Sequence, residues 1–170
     1  MDTITLNMEN LSEVERKQLL SLVEKANKPK RFCFENMRDG ESFYFIDSAD
    51  GIGKKEFYSS NMCDKGRFLL GNAFPTREDA EFEVERLKVI HEIKEFIAKN
   101  DDEEINWADS DKSKYVLTCR IEDGEICVGK FWNTMMSQKE FCASSKKVID
   151  DMIKTIGEER IKKYYFGITK

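Results

Sequence analysis

The segment His91-Glu92-Ile93-Lys94-Glu95 is where residue types and spacing come nearest to a metal or acid–base site. Residues four apart share one face of a helix, and the H-E-x-x-H pattern uses that geometry to hold zinc between two imidazoles. Here the fourth position is Glu95, and His91 is the one histidine of the chain. A zinc centre of that type lacks its second imidazole, so a surface helix residue is the simpler reading of His91. The same scarcity disfavours Ser-His-Asp and Cys-His catalysis, and no G-x-S-x-G turn accompanies any serine. General acid–base work would fall to carboxylates, and the sequence places none of them in an apolar setting. No catalytic residue, metal ligand or cofactor is therefore assigned, and the chain is read as a non-enzyme.

Thiols and phosphate loops add little chemistry. Cys33, Cys63, Cys119, Cys127 and Cys142 are odd in number and widely spaced, without a C-x-x-C pair. That pattern argues against a zinc knuckle and for reduced thiols in a cytoplasm. Gly51-Ile52-Gly53 does not open a helix, so it fails the context of a dinucleotide loop. The following Lys54-Lys55 reads as a solvated strand edge. With 28 Lys plus Arg against 33 Asp plus Glu, the net charge is −5. Residues 1–100 hold 16 basic and 19 acidic side chains, and residues 101–170 hold 12 and 14. Neither part is a basic stripe, which argues against duplex nucleic acid. No run approaches the ~20 apolar residues of a spanning helix, so no membrane partner is expected.

What remains is binding chemistry, and it centres on one hairpin. Tyr115 to Glu122 leads through Asp123-Gly124 to Glu125 through Trp132. Asp-Gly between β-rich runs is the strongest short hairpin signal. A two-residue loop would set Ile121 opposite Ile126, Cys119 opposite Val128, Leu117 opposite Lys130 and Tyr115 opposite Trp132, all on one face. Lys130 beside Tyr115 and Trp132 would clamp a base and a phosphate by stacking plus charge. Alternatively, Lys130 snorkels at the sheet edge while Trp132 fills the core. Arg120, on the other face, would point towards an inter-subunit cleft. Lys130, Trp132, Tyr115 and Arg120 are thus the candidate ligand-binding residues. Trp107 reads as an apolar anchor for its loop.

The elements that must position these residues follow from periodicity. With 40% hydrophobic and 36% charged residues, the chain is a folded, surface-charged protein. Ser12 and Glu15 have capping-box spacing before a helical stripe (Val14, Leu19, Leu20, Leu22, Val23) that Pro29 ends. That helix is expected to dock on its own domain, the alternative being a helix–helix contact in a dimer. A first hairpin runs from Phe43-Tyr44-Phe45-Ile46 through Asp50-Gly51 to Phe57-Tyr58. The short apolar run Phe68-Leu69-Leu70 and then Phe74 precede Thr76, an N-cap with Asp79 three residues on. The long helix that follows carries Ala80, Val84 and Leu87 on one side and Phe82, Val89, Ile90, Ile93, Phe96 and Ile97 across another. Being apolar on two sides, it is packed between bodies or joins an oligomer interface. In the second half, Phe141-Cys142 and Ser144-Ser145 precede a helix ended by Gly157, and a last short helix begins at Glu158.

The plan is α+β: an N-terminal helix (residues 1–30), a first ββ(β)α unit with the long helix (31–100), an acidic linker (101–113) and a second ββ(β)α unit with a short C-terminal helix (114–170). The shared Asp-Gly turns and aromatic-before-cap pattern mark the two units as a tandem repeat.

Three segments resemble a known family. They are Gly40-Glu41-Ser42-Phe43-Tyr44-Phe45-Ile46-Asp47, Gly71-Asn72-Ala73-Phe74-Pro75-Thr76-Arg77-Glu78-Asp79-Ala80-Glu81 running on to Ile90, and Ile156-Gly157-Glu158-Glu159-Arg160-Ile161-Lys162-Lys163-Tyr164-Tyr165-Phe166-Gly167. Together they are similar to a family of small proteins encoded by phages and prophages of Gram-positive bacteria, over about three quarters of the chain. Pro75 stands where that family has a basic residue. The resemblance implies a phage accessory gene expressed in the bacterial cytoplasm, and such genes commonly encode inhibitors of host defence. The expected function is binding without catalysis, by a homo-oligomer that sequesters a nucleotide-derived immune signal. The alternatives are an inhibitor that binds a host defence protein and a small hydrolase of such a signal.

Overall fold

The computed structural model describes residues 11–27, 31–48, 51–103, 105–109, 111–120, 122–131 and 141–168. Its architecture is α+β, with a helix ahead of two small antiparallel sheets and a long helix between them. Helix α1 (Glu13–Asn27) opens on the expected capping box. The Ser12 amide donates to Glu15 Oε2 at 2.9 Å, and Ser12 Oγ accepts from the Glu15 amide at 3.4 Å. Docking of α1 on its own domain is not what the structure shows. None of its described side chains is buried, and Val14, Leu20 and Leu22 are each more than half exposed. The first sheet is already covered without α1, by an aromatic cluster and by the long helix.

In the first unit, β1 (Ser42–Ile46) pairs antiparallel with β2 (Ile52–Glu56), with Ile46 opposite Ile52. The Asp47 amide donates to the Gly51 carbonyl at 2.8 Å, so Gly51 belongs to the β2 side of the hairpin. Its φ lies outside the left-handed region that a type I′ Asp-Gly turn requires of its glycine. Asp50 lies outside the described residues. The run Phe68-Leu69-Leu70 is not a strand. It ends helix α2 (Met62–Leu69), which Asn61 caps by accepting from the Cys63 and Asp64 amides. Phe68 alone turns inward, 5.3 Å from the Phe32 and Phe43 rings and 5.6 Å from Phe57, while Leu69 and Leu70 are exposed. Three apolar residues in a row fit a strand by pattern, but a capped helix turns one towards the ring cluster and leaves two outside. The third strand position of this unit is Phe74 alone, whose amide and carbonyl bond reciprocally with Tyr44, both at 2.9 Å.

Helix α3 (Arg77–Asn100) is capped by Thr76, whose Oγ1 accepts from the Asp79 amide at 3.1 Å. Its two apolar sides are shared between the units. It packs on β1 and β2, and it also packs on the last two helices of the chain. Ala80, Val84, Val89, Ile93 and Ile97 are buried, whereas Leu87 is exposed.

In the second unit, β3 (Lys114–Cys119) is central, between β4 (Ile126–Phe131) and the short β5 (Cys142–Ala143). Helix α4 (Lys146–Ile156) follows the Ser145 cap; Gly157, at φ 97°, turns the chain into α5 (Glu158–Tyr164). Val89, Ile93 and Ile97 of α3, Leu117, Ala143, Ile149, Met152 and Ile161 form one buried cluster.

The two units correspond in register. Tyr44 faces Lys54 and Phe45 faces Gly53 in the first; Tyr115 faces Lys130 and Val116 faces Gly129 in the second. Tyr44 pairs on its other side with Phe74, two residues before the Thr76 cap. Tyr115 pairs likewise with Ala143, two residues before the Ser145 cap.

The hairpin expected to hold the site differs from its two-residue reading. The Arg120 amide donates to the Glu125 carbonyl and the Gly124 amide to the Arg120 carbonyl, each at 2.9 Å, so the loop is residues 121–124. Gly124 takes the left-handed φ of 70°. Cys119 therefore faces Ile126, Leu117 faces Val128 and Tyr115 faces Lys130. The offset is two residues along one strand, so the described side chains keep their expected face while their opposite partners change.

Candidate functional site: a groove beside Tyr115

The groove begins with the way the chain leaves α3. Asp101 caps the helix by donating its amide to the Ile97 carbonyl, and its carboxylate accepts from the Ser144 amide at 2.8 Å and from the Ser144 hydroxyl. This clamp ties the start of the linker to the junction of β5 and α4. The linker then folds back through two side-chain turns. Asn106 Oδ1 accepts from the Ala108 amide at 3.0 Å, and Asp109 Oδ1 accepts from the Asp111 amide at 2.9 Å. Asn and Asp do this readily, because their short side chains reach the backbone two residues on.

Lys114 holds the returning loop. It is 1% exposed at the first position of β3, and its Nζ donates to the Asp109 carbonyl at 2.8 Å and the Lys112 carbonyl at 3.3 Å. The ammonium also stands 5.9 Å from the centre of the Trp107 ring. An ammonium out of water needs such acceptors, because an unsolvated charge is costly. Trp107 anchors the loop as expected of an aromatic, with its Nε1 buried and without a hydrogen-bond partner among the described residues.

Between this loop and the sheet lies a cavity of about 340 Å³. Glu103, Ile105 and Asn106 line it from the linker, Lys112 to Tyr115 along the start of β3, and Ser144 from beyond β5. The described lining residues include the aromatic Tyr115, the exposed Lys112, and Ser113, Ser144, Asn106 and Glu103, while the Lys114 ammonium is already taken by the Asp109 and Lys112 carbonyls. Such a mixture can hold a small polar ligand by charge and hydrogen bonds, with an apolar contact at Tyr115 and Ile105.

Of the residues expected at the site, Tyr115 lines this groove. Lys130 is directly across β3–β4 from Tyr115, exposed, and not part of the lining. Arg120 is at the far end of β3, bound at the hairpin tip to Asp123 at 2.9 Å and Glu125 at 3.1 Å. Asp123 first, and then Glu125, hold its guanidinium pKa above the ordinary value. Arg120 is five positions along the chain from Tyr115, roughly 17 Å when extended, so the two do not share one pocket. Trp132 lies outside the described residues. His91 stands on an exposed face of α3, its Nε2 3.5 Å from the Glu95 carboxylate. Among the described residues, no group of three or more His, Cys, Asp or Glu is arranged to hold a metal ion, and no helix is long and apolar enough to cross a membrane.

Asn106, Lys112, Ser113, Lys114 and Ser144 were not singled out by their sequence pattern. One signal was present: strand alternation puts Lys114 on the face of Val116 and Thr118, a charged residue in an apolar row. The loop residues carry no periodicity, and their approach to the sheet depends on the Lys114 contacts. No family model, curated protein or solved structure matches this chain.

Proposed function

We propose that the chain is a binding protein without a catalytic step, which sequesters a small anionic, nucleotide-like ligand in the groove beside Tyr115. The observation that carries this reading is the 340 Å³ cavity lined by Lys112, Ser113, Tyr115 and Ser144 beside the buried Lys114. Its size falls at the lower end of ligand sites, roughly 300–1,000 Å³, which suits a mononucleotide or one half of a larger nucleotide. Lysine is a point-charge partner for phosphate, hydroxyls complete the anion's hydrogen bonds, and an aromatic side chain offers apolar surface to a base. The reading is non-catalytic because, among the described residues, the lining holds one carboxylate, Glu103, and neither His nor Cys. The setting, a phage accessory protein that blunts bacterial immunity by removing a nucleotide-derived signal in the host cytoplasm, rests on the family resemblance alone.

The test is calorimetric titration with adenosine 5′-monophosphate, ADP-ribose and a cyclic dinucleotide. Mass spectrometry then identifies what heat denaturation releases. Saturable binding with intact release supports sequestration. Release of a cleaved product overturns it in favour of a hydrolase, and no binding to any probe overturns the groove as a nucleotide site.

A second reading has its own observation. Met62, Leu69 and Leu70 on and beside α2 are 76%, 76% and 85% exposed, and α1 exposes Leu20 and Leu22. Apolar side chains at this density suit a protein contact, such as a host defence protein. Recovery of a stoichiometric host protein, lost on Leu69→Asp and Leu70→Asp, would favour that reading.

A further inference from the structure

The register of the two units sets Lys114 where the first unit has Phe43. Tyr44 and Tyr115 correspond through their lysine partners across the hairpin, Lys54 and Lys130, and Phe43 and Lys114 each precede that tyrosine. Both side chains are buried, at 0% and 1% exposure. Phe43 is covered by aromatic rings, Phe68 at 5.3 Å among them. Lys114 is covered by the 105–112 loop and has no carboxylate within 4.0 Å among the described residues. The fold thus accepts an apolar side chain at this position, and a buried ammonium held only by carbonyls and an indole is the more costly occupant.

We infer that Lys114 is the positioning residue of the groove: its ammonium holds the backbone at Asp109 and Lys112 against β3, which forms the wall presenting Asn106 and Lys112 to an anionic ligand. The inference rests on the ligand-binding reading above. The wall exists because two carbonyls, of Asp109 and Lys112, converge on one Nζ. Replacing the ammonium by an apolar group removes both bonds and releases the loop, while the sheet keeps a side chain of suitable size. Among the described residues, the first unit, with Phe43 at this position, shows no such lysine–carbonyl clamp, and the role belongs to the second unit's groove.

The experiment uses the full chain and its Lys114→Met variant, read in two ways. Amide hydrogen exchange in residues 105–112 is expected to accelerate at least tenfold in the variant, with exchange in α3 and α4 unchanged. Affinity for whichever of adenosine 5′-monophosphate, ADP-ribose and the cyclic dinucleotide binds the unaltered protein is expected to fall at least tenfold, from a stoichiometry of one. Unchanged loop exchange, or affinity within threefold, overturns the positioning role and leaves the binding reading standing. If the unaltered protein binds none of the probes, the binding reading fails, and the ligand-positioning role fails with it. Lys114→Phe, the first unit's own residue, serves if Lys114→Met does not fold.

Discussion

Asp64 accepts the Lys55 ammonium at 2.7 Å although its carboxylate has no exposure, while Lys55 keeps about a third of its side chain in water. The same carboxylate takes the Tyr58 amide at 3.2 Å and the Arg67 guanidinium at 3.3 Å. Arg67 in turn lies 4.0 Å above the Phe45 ring. One buried acid therefore ties α2 to β2 and to the aromatic cluster of the first unit. Removing one partner of such a group leaves the others uncompensated in a dry site. Asp64→Ala is expected to cost about 3 kcal/mol, the low end for a buried pair, because Lys55 and Arg67 can rehydrate in part. Asp64→Asn keeps acceptors for the amide and costs about 1–2 kcal/mol. Urea unfolding of the two variants checks both the magnitude and the order.

Gly53 and Gly129 occupy matching places in the two hairpins, and each lies close against a side chain of the neighbouring strand: Phe45, directly opposite, for Gly53, and Thr118, on the diagonal, for Gly129. A Cβ on Gly53 would meet the Phe45 ring at 2.4 Å, and one on Gly129 would meet the Thr118 methyl at 2.9 Å. The Phe45 ring is held from above by Arg67, so it cannot swing aside without breaking that contact. Gly53→Ala is expected to destabilise by about 1–3 kcal/mol, as overpacking does. Gly129→Ala costs less, because a threonine methyl moves more easily than a stacked ring. Thermal melting of both variants reads the difference, and equal losses would contradict the ordering.

What the sequence showed best was local. Ser12 with Glu15, Thr76 with Asp79, and Ser145 before Val148 are caps whose donors and acceptors lie within three residues, and Gly157 stops α4 by its own backbone freedom. The register of the second hairpin was not legible, because an offset of two residues leaves the hydrophobic alternation unchanged. Helix α2 was hidden for a related reason. Its apolar run is three residues long, and Asn61 and Asp64 decide its conformation through bonds that the run does not contain. Of the groove, Tyr115 alone was foreseen. Its other walls come from a polar loop whose path is set by one buried ammonium and by Asp101 reaching Ser144, 43 residues away.

Acid should loosen α1 selectively. The Ser12 side-chain hydroxyl, followed by the Ser12 amide, donates to Glu15 and lowers its pKa below the ordinary value of 4.5. A carboxylate whose folded pKa is depressed contributes stability above its unfolded pKa and loses it as pH falls through the folded value. The capping box therefore holds at neutral pH, starts to weaken near the ordinary value of 4.5, and is lost as pH falls further through the lowered folded value. NMR chemical shifts of Ser12 to Leu19 are expected to move towards coil values over that range. Glu15→Gln keeps an acceptor without the titration and should flatten the profile.

Lys112 and Lys130 separate the groove from the cross-strand clamp that the sequence suggested. Lys112 is exposed at the groove wall, and its carbonyl is already fixed by Lys114. Its ammonium can therefore meet an anion without reorganising the loop. Lys130 faces Tyr115 across the strands but is not part of the cavity lining. Lys112→Ala is expected to weaken binding of a nucleotide probe about tenfold, the loss of one charge-assisted contact of about 1.4 kcal/mol, with unfolding unchanged. Lys130→Ala should alter the same affinity less than twofold. Raising salt from low to physiological strength should narrow the gap between Lys112→Ala and the unaltered protein, since an exposed cation acts through a screened field. The reverse pattern, with Lys130→Ala the weaker binder, would return the ligand to the exposed end of β4 and take it out of the groove.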